Sequence, residues 1–465
     1  MKRYLLKLML PFILLVLFTG KGFSQYFNTI YWLQGIPQAS YSNPALMPQP
    51  RFYIGMPAVS SIYAGLGSSG FAPGDFLRKD AMDNFYWDED NMLSKLRKKN
   101  IFDVDAQVDI LGFGFRANRS YLSFNITEKV RARAAYPEDL ILLLLKGNDH
   151  FRLEGRPGSF AGLGIDFTHY REFGMSYARE FGDRLTAGLR LKALQGMAGM
   201  WFERNNISLV TDPENYNLLV NADLLVNLSL PVSLQPIDSL DSDFEFEVDP
   251  FDYFSNTKNL GGAIDIGLTF KPTEKLTLAF SAIDVGLINW KSEAENFAMK
   301  GEFEFQGIDL TDLFGNDNSG NENLLDSIRN IFDIQETKHH YRTMLPMKFY
   351  LSAAYDLSPR HKIALLSMAE FYNASWYPSF TFSYNVKPIH AFSLALSYSV
   401  IHWNYYNIGA GFYLNLGPMQ LYLVSNNFFL AVQPHTVQAA NLHFGINWVF
   451  GYRPKKEDVV PSITW

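Results

Sequence analysis

The feature that most constrains this chain is a long alternation, with a period of two residues, between large apolar side chains and polar or small ones. Between Phe392 and Val400 every second residue is large and apolar, and each residue between them is serine or alanine. Successive side chains of a strand point to opposite faces, so such a segment has one apolar face and one polar face. The same alternation occurs at 185–192, 264–271, 275–282, 348–357, 380–387 and 441–450. The sequence therefore predicts an all-β fold.

The length of these segments distinguishes a membrane barrel from a soluble β-sandwich, which has the same period. Segments of about ten to fourteen residues exceed the usual strand of about five or six and match what a tilted strand needs to cross a bilayer. No linker divides the chain into several sandwich domains. Aromatic residues crowd the segment ends, as in an interfacial girdle; they are Trp290, Tyr372, Trp376, Tyr377, Trp403, Tyr405, Tyr406, Trp448 and Tyr452. We therefore predict a transmembrane antiparallel up-and-down β-barrel.

Short turns and longer connections give the expected orientation. The short turns are 181–183, 212–214, 271–274, 358–360, 387–389 and 416–418, and the longer connections are about 231–258, 289–345 and 427–435. Short periplasmic turns and longer outer loops are typical of outer-membrane barrels. Counted from a periplasmic N-terminus, all these short turns are predicted on the periplasmic side. The alternation gives about sixteen strands, and an even number puts both termini in the periplasm.

The first residues indicate export. Three basic residues lie among the first seven, and 8–18 is an apolar stretch too short for a transmembrane helix. Gly22 and Ser24 are small residues at the −3 and −1 positions of a cut before Gln25. We predict a cleaved signal peptide over residues 1–24; a buried N-terminal helix is the alternative.

Composition and motifs exclude several functional classes. The 465 residues include no cysteine, so disulfides, thiolate zinc sites and a cysteine nucleophile are excluded. The net charge of −7 and the lack of a basic cluster argue against nucleic-acid binding. No Gly-x-Ser-x-Gly or His-Glu-x-x-His motif occurs. We predict no enzyme, no cofactor and no metal site.

Several polar groups could form ion sites, but a simpler interpretation is favoured for each. The adjacent His339 and His340 point to opposite faces if extended, so a polar loop is favoured over a shared metal. The stretch 315–326 lacks a side-chain oxygen at the first position of a calcium loop. Asp103, Asp105 and Asp109 share one strand phase, which favours a lumen or rim position.

Two regions interrupt the alternation. Residues 75–100 mix charges with aromatic residues and predict one or two short helices in a loop. Residues 137–146 begin with proline and two acids and end with lysine, as a short helix prefers. Its apolar residues 140–145 would surround that helix, so we expect it to be buried against protein or lipid. It would serve either as a cap over the barrel mouth or as a plug that an apolar ligand displaces.

Short motifs resemble a known group of membrane proteins. The run Asn43-Pro44-Ala45, just before a strand at 52–57, resembles the N-terminal segment of FadL-type outer-membrane transporters and PorV-like barrels. The end of the chain, 441–451, and the stretch 137–148 are similar to a Bacteroidota family of uncharacterised outer-membrane barrels. The resemblance implies about fourteen strands, with an N-terminal hatch in the lumen. Some relatives carry hydrophobic compounds and others serve a secretion system.

These observations give one domain plan and two functional hypotheses. The plan is a signal peptide at 1–24, a hatch segment at 25–50 that contains Asn43, Pro44 and Ala45, a barrel of about 14–16 strands at 51–452, and a periplasmic tail at 453–465. The first hypothesis is an outer-membrane channel for small or hydrophobic compounds, because small luminal side chains leave room for a solute. The second is a structural or secretion-associated barrel whose loops bind cell-envelope proteins. Membrane lipid is the expected partner in both.

Overall fold

The computed structural model describes residues 28–33, 35–80, 82–214, 216–230, 253–254, 256–305, 335–389, 391–401, 404–428 and 433–452. The predictions for the signal peptide, the C-terminal tail, the stretch 315–326 and Trp403 lie outside these residues. Among them, no helix is long and apolar enough to cross a membrane.

The described chain is dominated by β-strands. In chain order they are β1 (Pro50–Gly55), β2 (Ile62–Ser68), β3 (Leu77–Lys79), β4 (Phe85–Trp87), β5 (Lys99–Ala117), β6 (Ser120–Pro137), β7 (Gly158–Ser159), β8 (Gly164–Phe181), β9 (Leu185–Thr211), β10 (Leu218–Ser229), β11 (Leu260–Phe270), β12 (Leu276–Trp290), β13 (Ala294–Phe305), β14 (Gln335–Thr337), β15 (Tyr341–Met344), β16 (Met347–Ser358), β17 (His361–Tyr372), β18 (Ser375–Ile389), β19 (Phe392–Ile401), β20 (Asn404–Leu416), β21 (Met419–Ser425) and β22 (Ala439–Tyr452). Short helices are Pro73–Phe76, Glu89–Lys95, Glu138–Lys146 and Asp149–Leu153, with 3-10 turns at Pro37–Tyr41 and Pro434–Thr436.

Fourteen antiparallel strands close into a barrel. The wall runs β5, β6, β8, β9, β11, β12, β16, β17, β18, β19, β20, β21 and β22. Its fourteenth strand is the pair β1 and β2, which both lie between β22 and β5. The short strand β15 extends the β16 position beside β12. The prediction of an antiparallel barrel is confirmed, and the count lies at the low end of the predicted range.

The barrel has a turn end and a loop end. Connections of two to five residues follow β5, β8, β11, β16, β18 and β20, all at the turn end. Pro50, at the start of β1, pairs there with Tyr452 of β22, so the first and last strands meet at this end. The prediction for 212–214 was wrong, because this turn joins β9 to β10 at the loop end.

That error arises because β9 is longer than its neighbours in the wall. Its first part pairs with β11, and its second part, from Gly199 to Thr211, pairs with β10. β13 adds to β10, and β14 adds to β13. These strands form a sheet that continues past the start of β8 at the loop end, and we call it the sheet extension.

The alternation predicts which side chains face the lumen. On β19, Ser393, Ser397 and Ser399 are at most 7% exposed, whereas Leu396 and Tyr398 are 45% and 43% exposed. The other segments behave in the same way: polar or small side chains are buried inside the barrel and large apolar ones are exposed outside. This is the reverse of a soluble domain.

The predicted aromatic girdle is wrong in part. Trp376 and Trp448 lie on the outer face and are 39% and 38% exposed. Trp290 is fully buried and stacks on Tyr341, and Tyr377 is 5% exposed. β12 has one extra residue, a bulge, between Ala282, which pairs with Ile266 of β11, and Val285, which pairs with Ile264. The bulge moves the later residues of β12, including Trp290, to the opposite face of the strand. Tyr377 lies on the luminal face of β18. The prediction used only the position of each aromatic residue at a segment end, and that position does not show which face of the strand the side chain occupies.

The interruptions of the alternation form the predicted short helices at the loop end. The 75–100 region contains Glu89–Lys95, capped by Asp88 accepting from the Asn91 amide, and also an unpredicted hairpin of β3 and β4. The predicted helix at 137–146 is present as Glu138–Lys146. None of its residues is fully buried by the protein, and Leu144 is 71% exposed.

Candidate functional site

The lumen contains the N-terminal segment, of which 28–33 and 35–49 are described. Most of its side chains, including Ile30, Tyr31 and Leu33, are nearly inaccessible to solvent. The segment reaches far along the wall: Thr29 Oγ1 lies 2.7 Å from Ser397 Oγ, and Gln38 Nε2 donates to Asn447 Oδ1 at 3.0 Å. Ser281 of β12 also donates to the Ser42 carbonyl, so hydrogen bonds to β19, β22 and β12 hold the segment across the barrel interior.

The predicted hatch residues form a compact turn inside the barrel. The Asn43 side chain is fully buried; its Oδ1 accepts from the Ala45 amide at 2.9 Å, and its Nδ2 donates to the Tyr31 hydroxyl at 3.0 Å. An asparagine side chain that bonds the backbone two residues on is a common turn device, and Pro44 fixes the angle between. The wall approaches this turn through glycine: a Cβ at Gly267 would lie 2.1 Å from Asn43 Oδ1.

An upper ion network crosses the lumen near the loop end. Arg133 of β6 contacts Asp103 of β5 through Nε at 3.0 Å and Glu370 of β17 through Nη2 at 3.0 Å. Arg131 also reaches Glu370, at 2.9 Å. The Glu370 side chain is fully buried, and β6 and β17 are not neighbours in the wall, so these pairs span the interior.

A lower ion network lies between the upper network and the N-terminal segment. Asp284 contacts Lys192 at 2.6 Å and Lys348 at 3.2 Å. Lys192 also contacts Asp265 at 2.8 Å. The pair of Lys129 and Glu172, 2.7 Å long, joins the same network because Glu172 lies 3.6 Å from Lys192. Six consecutive wall positions, from β6 to β16, each contribute one of these residues, so the network depends on the register of the barrel.

A cavity of about 600 Å³ opens above these networks at the loop end. We call it the vestibule. This volume lies in the range of small-molecule sites, about 300–1,000 Å³. Its wall combines apolar and aromatic side chains with a few charged ones, including Ile101, Arg133, Leu163, Asp166, Trp201, Phe202, Met344, Phe371, Tyr372 and Tyr377.

Below the vestibule the lumen narrows to two small polar pockets of about 40 and 20 Å³. Leu345 and Tyr372 line both the vestibule and the larger pocket. Lys129 and Asp284 line both small pockets, and the lower one ends at Tyr41 of the N-terminal segment. Pockets of this size hold water molecules, which need roughly 10–15 Å³ each, but no organic compound. The described lumen is therefore open to a small molecule at its loop end and closed below.

The helix Glu138–Lys146 lies beside the loop end and is tied there by an ion pair. Arg156 donates two bonds to the Asp139 carboxylate, at 2.7 and 3.0 Å, and the Ser159 amide donates a third. Partial burial raises the pKa of Asp139, but these donors outweigh it and leave that pKa below its usual range. Leu140, Leu142 and Leu143 pack on the apolar cluster of Phe151, Phe160 and Leu209 beneath the sheet extension.

The sequence identified only part of this site. Asp103, Asp105 and Asp109 do face the lumen, where Asp103 pairs with arginines and Asp109 accepts from the Tyr41 hydroxyl at 2.7 Å. His339 and His340 are both exposed. In the part of the chain that the structure describes, no group of three histidine or acidic residues is placed to hold a metal.

The ion networks themselves were missed. The available signal was a charged residue in the polar phase of several strands, such as Arg190 and Lys192 on β9, because a charge facing a closed interior needs a partner there.

Comparison with known proteins gives a family and a set of similar folds. The family described as "Family of unknown function (DUF5723)" matches residues 44–426. No curated protein matches the chain. The solved structure of the Ralstonia pickettii toluene transporter TbuX is 8% identical, with a TM-score of 0.41 over 89% of this chain and 94% of that one. A Pseudomonas aeruginosa FadL homologue gives 10% identity and a TM-score of 0.43 over 90% and 94%. The Pseudomonas putida toluene transporter TodX gives 8% and 0.34 over 92% and 93%.

Proposed function

The chain belongs to the DUF5723 family, whose function is unknown, and we propose that it is an outer-membrane channel that admits small hydrophobic compounds. The observation that carries the proposal is the vestibule, a ligand-sized cavity with a largely apolar and aromatic wall that is closed below by ion networks and the N-terminal segment. Such an arrangement binds a compound from the loop end and releases it only after the closure moves.

The outer surface supports a membrane location. Large apolar side chains on many wall strands are about 40–60% exposed; they include Met175, Leu189, Leu191, Ile264, Ile266, Leu268, Leu365, Phe382, Leu396, Leu442 and Phe450. A soluble monomer rarely exposes a contiguous apolar patch larger than a few hundred Å². The signal peptide predicted at 1–24 supplies the route for export. The protein should sediment with outer membranes and resist alkaline carbonate; release as a soluble protein would refute the membrane location.

The closure supports gated rather than free passage. The buried charges below the vestibule are paired across the interior, and a hydrophobic compound cannot replace those partners. The N-terminal segment fills the lumen below them, and we propose that it acts as the hatch. In planar bilayers the intact protein should therefore give little steady current. Deletion of residues 25–49 should raise conductance if the barrel still assembles, and unchanged conductance from a normal barrel would reject the hatch.

Binding at the vestibule can be tested with two neighbouring alanines. Ala135 lines the vestibule, and Ala134, on the opposite face of β6, points out of the barrel. The dye N-phenyl-1-naphthylamine, which fluoresces in apolar sites, serves as a hydrophobic probe for the purified protein in detergent. Ala135→Trp should abolish saturable dye binding, and Ala134→Trp should preserve it. Equal binding by both variants would contradict the vestibule as the entry site.

The sheet extension favours a second candidate, a barrel that binds another envelope protein. β10, β13 and β14 project past the wall at the loop end and are not needed to close the barrel. A partner that copurifies with the intact protein, together with the absence of dye binding and conductance, would favour this candidate over transport.

A further inference from the structure

The outer face of the barrel has a hollow that the proposed transport path does not use. It has a volume of about 570 Å³ and lies over β8, β9, β11 and β12. Its floor includes Ala193 and Gly262, and its borders include Phe173, Leu191 and Ile264. Neighbouring outward positions of β9 and β11 carry leucine and isoleucine, so the two small residues create a gap in an otherwise continuous apolar surface.

A polar cluster lies on the same outer face, next to the hollow. Arg171 Nε donates to Glu128 Oε1 at 2.6 Å, and His169 Nε2 lies 3.3 Å from Glu128 Oε2. Arg171 is two residues from Phe173 on β8, a distance of about 7 Å along one face of a strand. The cluster therefore borders the hollow on the side nearer the loop end.

Two aromatic residues cover part of this cluster. The Tyr253 hydroxyl hydrogen-bonds His169 Nδ1, and the Arg171 guanidinium lies 5.8 Å from the ring of Phe254. The side chains of Glu128 and Arg171 nevertheless remain 18% and 20% exposed. One negative and one positive group are thus fixed side by side and still accessible from the outer face.

The height of the cluster matches the headgroup level of a bilayer. Arg171 lies ten residues above Phe181, the last residue of β8 at the turn end. At about 3.3 Å per residue and a tilt of about 40°, this is roughly 25 Å, the height of the apolar band of an outer-membrane barrel. The hollow lies just below that level, at the depth of acyl chains.

We propose that the hollow and the cluster together bind one phospholipid with a zwitterionic headgroup, such as phosphatidylethanolamine. An acyl chain fills the hollow over Ala193 and Gly262, the phosphate meets Arg171, and the ammonium meets Glu128. A purely anionic lipid would place negative charge against Glu128 without a compensating cation. The inference rests on the membrane location proposed above and does not depend on transport.

The test compares variants that fill the hollow with one that adds the same bulk elsewhere. A Cβ at Gly262 meets nothing closer than the Lys192 carbonyl oxygen at 3.6 Å, so Gly262→Leu is compatible with the fold. Ala187→Leu, at an outward position of the same strand as Ala193 but nearer the turn end, is the control. Each protein is reconstituted in vesicles of equal phosphatidylethanolamine and phosphatidylglycerol, extracted in mild detergent, and examined by native mass spectrometry.

The wild type and Ala187→Leu should each retain one phosphatidylethanolamine, and Gly262→Leu should retain none. Glu128→Gln should reduce the preference for phosphatidylethanolamine over phosphatidylglycerol by about tenfold, as expected for one lost contact between charged groups. Retention by Gly262→Leu, equal retention of both lipids by the wild type, or no retained lipid would overturn the proposal. Failure of the wild type to resist carbonate would refute the membrane location instead, so the two failures are distinguishable.

Discussion

Removing the charge of Asp284 should strongly destabilise the barrel. This carboxylate contacts Lys192 at 2.6 Å and Lys348 at 3.2 Å, and its side chain is 6% exposed. At an effective dielectric constant of about 20, each contact contributes about 5 kcal/mol of attraction, which desolvation largely offsets. Loss of one partner of a buried pair typically costs about 3–5 kcal/mol, because the remaining charge has no equal compensation. We expect Asp284→Asn to lower the free energy of unfolding by that amount.

Asparagine is the suitable replacement because Asp284 has a φ of 61°, in the left-handed region that asparagine tolerates. The free energy of unfolding is measured by urea titration in lipid vesicles, followed by tryptophan fluorescence. A double-mutant cycle with Lys348→Met isolates the interaction between Asp284 and Lys348. The decrease in the free energy of unfolding of the double variant should be about 1–3 kcal/mol smaller than the sum of the decreases of the two single variants. Additive losses, or a wild-type midpoint for Asp284→Asn, would show that the network does not stabilise the barrel.

Three further outcomes are expected. Leu278→Arg, on the predicted lipid face, should lower the free energy of unfolding by about 2–4 kcal/mol, whereas Leu278→Ile, which keeps that position apolar, should change it little; wild-type stability of Leu278→Arg would contradict the assigned face. Gly267→Val should push the wall against Asn43 and raise bilayer conductance without any deletion, and a silent variant would contradict close packing as the seal. Asp139→Asn should increase protease cleavage of the 147–157 connection at neutral pH. Because the pKa of Asp139 is lowered in the folded protein, its ion pair stabilises the loop above the usual carboxyl range and is lost as the pH falls through the lowered pKa, so cleavage of the wild type alone should rise in acid.

The sequence predicts the faces of the wall strands well because the two-residue alternation is complete within each strand. On β19 and β11 the two-residue phase alone separates buried serine or aspartate from exposed leucine or isoleucine. A local pattern of this kind needs no knowledge of the partner strand.

Features that depend on register or strand length could not be predicted in this way. The phase of Trp290 is shifted by a bulge in β12, and the turn at 212–214 lies at the loop end because β9 overshoots its neighbours. The pairing of Arg133 with Glu370 joins residues 237 positions apart on strands that are not neighbours. Such contacts follow from the closed barrel, whose shear no single segment encodes.

The position of the N-terminal segment has a consequence for the order of folding. Thr29 and Gln38, near the start of the described chain, bond to Ser397 and Asn447, which lie 368 and 409 residues later. Contacts of such sequence separation form late, because a long loop must close before they contribute. The segment leads directly into β1, the first strand, which pairs with β22, the last, so the segment must already lie inside the wall when these two strands pair. The barrel should therefore fold around its own N-terminus as the final seam closes, and the buried residues Ile30, Tyr31 and Leu33 must be kept from aggregating until then.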